Sequence, residues 1–137
     1  SEAVFDDVVL LVSLNGGKDE KPYPGIKHDP ALVASRTLGD WWGAGLAAHK
    51  HRVRHVLGVY RGVIRTVFTV ETDERGSARY ETVRLPSSTG KTTLNRVRFK
   101  GGRNVALEGE WGGRSVISAS GELLSRFGQT PCRFVGV

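Results

Sequence analysis

The sequence predicts an α+β domain with a curved or barrel-like, mostly antiparallel β-sheet and two or three short helices. Short segments rich in β-branched residues recur along the chain, turn residues separate them, and the chain contains 18 glycines. Only two or three segments carry the start or stop signals of a helix. With 137 residues, 39% of them hydrophobic, we expect one domain over residues 1–137 with its own core.

The first third of the chain predicts one buried strand and two short helices. Residues 8–14 form an apolar run that stops at an Asn-Gly-Gly turn, which is typical of a buried strand. Residues 18–27 are polar and contain prolines, so they predict an irregular loop. Asp29-Pro30 is a favourable helix start for residues 31–38, and a glycine ends this helix. A second short helix is expected over residues 43–49.

The rest of the chain predicts mainly strands. Residues 56–60 and 63–70 read as two strands joined by a tight Arg61-Gly62 turn. In the second strand, alternation places one set of side chains on one face: Ile64, Thr66, Phe68 and Val70. Five more β segments are predicted at residues 79–85, 96–100, 105–111, 115–118 and 132–137. Residues 121–127 predict one or two helical turns.

Positive charge is concentrated in the middle of the chain. Residues 50–103, called the basic band below, carry 13 of the 20 lysines and arginines but 4 of the 14 acidic residues. The net charge of +6 therefore divides into +9 in the basic band and −3 elsewhere. This segregation indicates a polyanionic partner, and we expect a nucleic acid. We expect no membrane partner, because no apolar run is long enough to span a bilayer and no amphipathic helix presents an aromatic face.

One segment of the basic band resembles a phosphate-binding loop. Residues 86–92 read PSSTGKT, but Leu85 stands where a P-loop requires its first glycine. The following residues also predict a strand instead of a helix, so nucleotide hydrolysis is excluded. Ser88 and Lys91 remain candidates for phosphate contacts, with a plain mobile loop as the alternative.

Three histidines, His49, His51 and His55, have a spacing that could bring imidazoles together on a metal ion. No carboxylate lies nearby, and four cations interleave or adjoin the histidines: Lys50, Arg52, Arg54 and Arg61. This field opposes a divalent cation and favours phosphate contacts, with a solvated basic turn as the alternative. Neither a nucleophile elbow nor an acid–base pair is recognisable, so we expect no cofactor and no enzymatic activity.

Four large aromatic residues lie beside loops or turns: Tyr23, Trp41, Trp42 and Tyr60. Aromatic rings next to cations suit base stacking, which contributes about 1–3 kcal/mol per base, and a pocket of such rings can hold a base extruded from a duplex. Of two adjacent tryptophans at least one is normally core. We therefore expect one of Trp41 and Trp42 in the core and the other in a pocket, without an assignment of which.

The single cysteine, Cys132, excludes an internal disulfide framework and is expected to be a small core residue. A lone thiol fits a reducing compartment, so we expect a cytoplasmic protein. The start at Ser1 and the absence of methionine are compatible with a fragment of a longer protein.

Five segments together resemble a bacterial domain that follows GIY-YIG-type nuclease modules. They are residues 8–14, 34–42 (ASRTLGDWW), 54–68 (RHVLGVYRGVIRTVF), 111–116 (WGGRSV) and 127–135 (FGQTPCRFV). The sequence departs from that pattern in the histidine-rich residues 49–55 and at Thr130, where the family has asparagine. More loosely, the order of elements is similar to PUA-like readers such as the EVE and YTH domains.

The resemblance implies a reader of modified DNA, with 5-methylcytosine as the expected base, attached to or associated with a restriction nuclease or acting alone. It places Trp41, Trp42 and Tyr60 near a pocket for the flipped base, with Arg36 and Asp40 beside them. Two alternatives stay open: a module for single-stranded DNA or RNA that uses the same rings, and a regulatory protein-interaction domain whose tryptophans are core.

Overall fold

The computed structural model describes residues 2–3, 5, 7–17, 19–43, 45–86, 90, 93–118, 120–125, 127 and 132–136. The strands within these ranges are β1 (Glu2–Ala3), β2 (Val9–Ser13), β3 (His55–Tyr60), β4 (Val63–Val70), β5 (Tyr80–Pro86), β6 (Thr93–Phe99), β7 (Gly101–Arg103), β8 (Ser115–Val116) and β9 (Cys132–Val135). The helices are α1 (Tyr23–Ile26), α2 (Pro30–Leu38), α3 (Leu46–His49) and α4 (Val105–Trp111), and a 3₁₀ turn follows α3 at Lys50–Arg52.

The central sheet has five strands in the order β7-β4-β3-β2-β9. Only β2 and β3 run parallel in it, while β5 and β6 form a separate antiparallel hairpin. The α+β class and the mostly antiparallel pairing are thus confirmed. The described strands do not close into a barrel, because the order ends at β7 on one side and at β9 on the other. No helix in the described ranges is long and apolar enough to cross a membrane.

Strand β2 is buried on both faces and separates two hydrophobic clusters. Leu10 and Val12 pack under the first three helices and the β5–β6 hairpin, whereas Val9 and Leu11 pack with α4 and β8. This explains the continuous apolar run in the sequence, because a strand covered on both faces has no polar side.

Helix α2 forms where the sequence predicts it. The Asp29 side chain accepts a hydrogen bond from the Leu32 amide at 3.1 Å, and Pro30 occupies the first helical position. The helix belongs to the crossover that the parallel β2–β3 pair requires. Within the preceding segment, 18–27, the structure has the short helix α1 where an irregular loop was predicted.

The β3–β4 hairpin turns at Arg61 and Gly62, whose φ angles are +50° and +80°. Two successive positive φ values are typical of the tight turns that suit the twist of a hairpin. A bulge shifts the pairing from Gly58 opposite Thr66 to Val59 opposite Ile64. The predicted face of Ile64 is therefore wrong: Ile64 packs with Val67 in the second cluster, because the bulge adds one residue to the alternation.

Two other predicted elements are wrong. Residues 105–111 form helix α4 instead of a strand, because the Asn104 side chain caps the Leu107 amide at 3.0 Å. The i, i+4 pair Leu107 and Trp111 then packs against the second cluster. Residues 121–127 are not helical where the structure describes them, since Leu123 forms a β-bridge with Ile117.

Candidate functional site

A cleft of about 650 Å³ opens at the carboxyl end of β2. Its walls are the loop after β2, the last turns of α2, the segment from Gly39 to Trp42, and Arg98 from β6. The volume lies within the range of about 300–1,000 Å³ that is typical of ligand clefts. Four of the residues predicted for the site line it: Arg36, Asp40, Trp41 and Trp42.

A short backbone ladder fixes the tryptophan segment to the hairpin. Trp41 and Val97 exchange two backbone hydrogen bonds of 2.8 Å each. In antiparallel pairing this places Trp42 opposite Arg96 and Asp40 opposite Arg98. Arg96 and Arg98 lie on the same face of β6 because a strand places alternate residues on one face. Arg98 lines the cleft, whereas Arg96 lies beside Trp42 at its edge.

Trp41 is the core tryptophan. Its side chain is 7% exposed and belongs to the first hydrophobic cluster. Its indole Nε1 donates a hydrogen bond to the Thr37 carbonyl at 2.8 Å, which satisfies the only polar atom of the ring.

Trp42 is 45% exposed and lies at the surface of the cleft. Its ring is nearly parallel to that of Trp41, with centroids 6.4 Å apart and an interplanar angle of 23°. The Arg96 guanidinium carbon lies 3.8 Å from the Trp42 ring centroid, a close cation–π contact. On the inner side, the Cys132 thiol contacts the Trp42 carbonyl at 3.8 Å, and burial raises the pKa of that thiol to about 11.

Asp40 and Arg98 form a bidentate ion pair in the cleft wall. The Arg98 Nε and Nη2 atoms donate to the two Asp40 carboxylate oxygens at 2.8 and 3.0 Å. These hydrogen bonds raise the pKa of the Arg98 guanidinium. Gly39 permits this approach, because a Cβ atom there would lie 2.9 Å from the Arg98 Cα.

Arg36, in the last turns of α2, is paired with the segment that follows β2. Its Nε lies 3.5 Å from a Glu20 carboxylate oxygen, and its Nη1 donates to the Lys21 carbonyl. Among the described residues, the charged groups of the cleft wall are thus two carboxylates and two guanidiniums, paired with each other. This balance favours a neutral polar ligand in the cleft over a phosphate.

Tyr23 and Tyr60 form a separate half-buried pair instead of lining the cleft. Their ring centroids are 6.4 Å apart, and the Arg61 guanidinium lies 5.5 Å from the Tyr60 ring. The Arg61 amide donates to the Asn15 side chain at 3.0 Å, so this pair adjoins the loop that forms one cleft wall.

Of the cations predicted to contact phosphate, Lys50, Arg52 and Arg54 lie along the 3₁₀ turn and its exit, whereas Arg61 lies in the β3–β4 turn. Arg52 and Arg54 are exposed, and the Lys50 ammonium lies 4.9 Å from the Tyr80 ring. Ser88 and Lys91 lie outside the described residues. Sequence reasoning missed Arg98 as a cleft residue and Arg96 as the partner of Trp42, although the alternation of residues 96–100 already placed both on one face.

The three histidines that suggested a metal site have different neighbours. His49 packs on the Phe134 ring at 5.5 Å, while the His55 Nδ1 lies 3.0 Å from the Thr69 hydroxyl. Among the described residues, no three side chains of histidine, cysteine, aspartate or glutamate are grouped to hold a metal ion.

We expect His55 to make stability depend on pH. Burial is the main cause that lowers the pKa of His55, and Arg54 adds to it, while Asp7 opposes it. The unfolded chain then binds more protons than the folded chain between this lowered pKa and the ordinary value of about 6.5. The free energy of unfolding should therefore fall as the pH drops below about 6.5 and level off above it. Urea unfolding of wild type and His55→Gln at pH 7.5, 6.5 and 5.5 measures this, and an identical pH profile for both proteins would contradict it.

Comparison of the chain with protein-family models, with curated protein sequences and with solved structures found no match.

Proposed function

We propose that this domain binds duplex DNA that carries a modified base, with 5-methylcytosine as the expected modification, and holds the extruded base in the cleft beside Trp42. The observation that carries the proposal is the half-exposed Trp42 indole at the surface of a cleft whose wall charges are balanced. A base is planar and neutral, so it matches this cleft better than a phosphate does. Stacking on one indole contributes about 1–3 kcal/mol per base.

The charge distribution supports separate roles for the cleft, which would hold the base, and for the exposed cations, which would contact phosphates. The wall charges of the cleft are paired, whereas Arg52, Arg54 and Arg84 are exposed outside the cleft wall. Exposed cations interact with the phosphate backbone, which supplies affinity without sequence selectivity. Selectivity then depends on the groups that face the base.

The cleft offers partners for each part of a methylated cytosine. Trp42 offers a π face, and the Asp40 carboxylate has acceptor capacity beyond its two hydrogen bonds to Arg98. Cytosine presents an N4 amino donor that a carboxylate accepts. The PUA-like character of the fold and the association with a restriction nuclease belong to this proposal through the sequence resemblance.

A binding screen of short duplexes with different base modifications tests the proposal. At fixed salt, we expect wild type to bind a modified duplex more tightly than the same unmodified duplex. Trp42→Ala should weaken binding to the modified duplex by about 5- to 150-fold, because the stacking free energy is lost.

Three outcomes would contradict the proposal when single strands and the Trp42→Ala variant are measured beside the duplexes. Equal affinity for every modified and unmodified duplex would rule out modified-base recognition, and a preference for single strands whatever their modification would favour a single-strand module. Retention of the modified-duplex preference by Trp42→Ala would place the base elsewhere.

Replacement of Lys50, Arg52 and Arg54 by alanine tests the grip on phosphate separately. We expect weaker binding to modified and unmodified duplexes alike, together with a smaller dependence of affinity on salt, because each lost phosphate contact lowers the salt slope by about one. The measurement is a salt titration of affinity by fluorescence anisotropy. Unchanged affinity and slope would place the DNA on another surface.

A further inference from the structure

The Arg96 guanidinium covers one face of the Trp42 ring. Its guanidinium carbon is 3.8 Å from the Trp42 ring centroid, a separation typical of two stacked planar groups. The Trp41–Val97 backbone ladder holds Arg96 opposite Trp42, so this contact follows from the register of the strand. The nearly parallel Trp41 ring also neighbours Trp42, and a base that uses Trp42 therefore competes with Arg96.

The Arg96 contact is incompletely satisfied. Arg96 Nε is buried and has no hydrogen-bond partner in the part of the chain that the structure describes. An unpaired buried donor opposes the conformation that buries it. By contrast, Arg98 on the same face of β6 has a carboxylate partner at 2.8 Å. Of the two arginines on this face of β6, Arg96 is the one whose displacement breaks no ion pair among the described residues.

The estimated strengths of the two contacts favour replacement of Arg96 by a base on the Trp42 ring. A cation–π contact at a partly exposed site corresponds to a factor of about 2–5 in an equilibrium constant, whereas base stacking on an aromatic side chain corresponds to a factor of about 5–150. A base therefore gains more from the Trp42 ring than Arg96 loses. Once displaced, the guanidinium is solvated and available to a phosphate oxygen.

We propose that Arg96 is an internal placeholder that the incoming base displaces from Trp42, after which its guanidinium pairs with a backbone phosphate of the same DNA. This inference rests on the proposed function and deepens it. It predicts that Arg96 weakens the binding of a free nucleoside and strengthens the binding of duplex DNA. Arg96 opposes a base that lacks phosphate and favours a base that belongs to a polynucleotide.

The test uses 5-methyl-2′-deoxycytidine, which has no phosphate, and a short duplex with one 5-methylcytosine. Nucleoside binding is followed by NMR at the Trp42 indole N–H signal, which is assigned with Trp42→Phe and reports millimolar affinities. We expect Arg96→Ala to bind the nucleoside about 2- to 5-fold more tightly than wild type. The same variant should bind the duplex with a salt slope smaller by about one.

Two matched variants separate displacement from loss of charge. Arg84 is an exposed cation on β5 whose register opposite Asn95 places it on the other face of the hairpin from Arg96. Arg84→Ala should leave the nucleoside affinity unchanged. Arg96→Lys keeps the charge but loses the flat guanidinium, so it should raise nucleoside affinity while it keeps the salt slope of the wild type.

If Arg96→Ala bound the nucleoside no more tightly than wild type, or if the nucleoside shifted the Trp42 signal in neither protein, the proposal that a base displaces Arg96 would be wrong. If Arg96→Ala bound the duplex with the salt slope of wild type, the pairing of Arg96 with a phosphate would be wrong. Each of these results leaves the proposed function intact if the duplex screen still shows a preference for the modified base. Equal binding of modified and unmodified duplexes would instead refute the proposed function.

Discussion

Trp41→Ala is expected to lower the free energy of unfolding by about 3–5 kcal/mol, the usual cost of truncating a large buried aromatic residue. The side chain is 7% exposed, and its truncation would leave a cavity beside α2. It would also remove the 2.8 Å hydrogen bond to the Thr37 carbonyl. Small domains have a total stability of about 5–15 kcal/mol, so this loss is large. Urea denaturation followed by circular dichroism measures it.

Trp42→Ala is the matched control, since the two tryptophans are neighbours in sequence and differ in burial. With 45% of its surface exposed, Trp42 should change the free energy of unfolding by less than about 1 kcal/mol when truncated. Equal destabilisation by both variants would show that both tryptophans are core. That result would support the alternative of a protein-interaction domain.

Gly58→Ala is expected to destabilise the protein by about 2–3 kcal/mol through overpacking. A Cβ atom at this position would overlap the Thr66 hydroxyl and would lie 2.5 Å from the Leu14 Cδ1 atom. Both neighbours are fully buried, so neither has open space to move into. The β-bulge also begins here, and a shift of β3 to relieve the overlap would disturb its register with β4. The midpoint and slope of urea unfolding measure the effect.

Gly109→Ala provides the control for this substitution. Gly109 lies inside α4 with nothing within 4 Å of an added Cβ atom. Alanine is favoured over glycine in a helix by about 0.5–1 kcal/mol, so this variant should be more stable than wild type. If Gly58→Ala were as stable as wild type, the close packing described at the bulge would be wrong.

The elements that sequence predicted well are those with local causes. Helix α2 begins at Asp29-Pro30 because the cap and the proline act on the next turn of the same segment. The β3–β4 hairpin turns at Arg61-Gly62, where the chain reverses within two residues. Such signals need no knowledge of the rest of the fold.

The errors arose where a pattern has two structural interpretations. Val105, Leu107 and Trp111 fit a strand by alternation and a helix by the i, i+4 pair, and the Asn104 cap decides for the helix. Ile64 changed face because a bulge depends on the partner strand, which a single-strand alternation does not include.

The candidate site was likewise predictable where its features are local in sequence and not where they depend on long-range pairing. The adjacent tryptophans, the basic band and the Asp40 carboxylate are visible in the sequence, and so is the expectation that one tryptophan is core. The sequence did not pair Asp40 with Arg98 or Trp42 with Arg96, because these partners are more than 50 residues apart and meet only through the Trp41–Val97 ladder.

By itself, the sequence determined the α+β class, the local turns and caps, and the uneven charge, because composition and short-range chemistry set these properties. The tertiary structure decided that Trp41 is core and Trp42 is exposed, since the Trp41–Val97 ladder fixes the tryptophan segment against β6. It also decided that the paired charges line the cleft while exposed arginines lie outside its wall. Long-range strand pairing, which no local pattern specifies, is the physical reason for both.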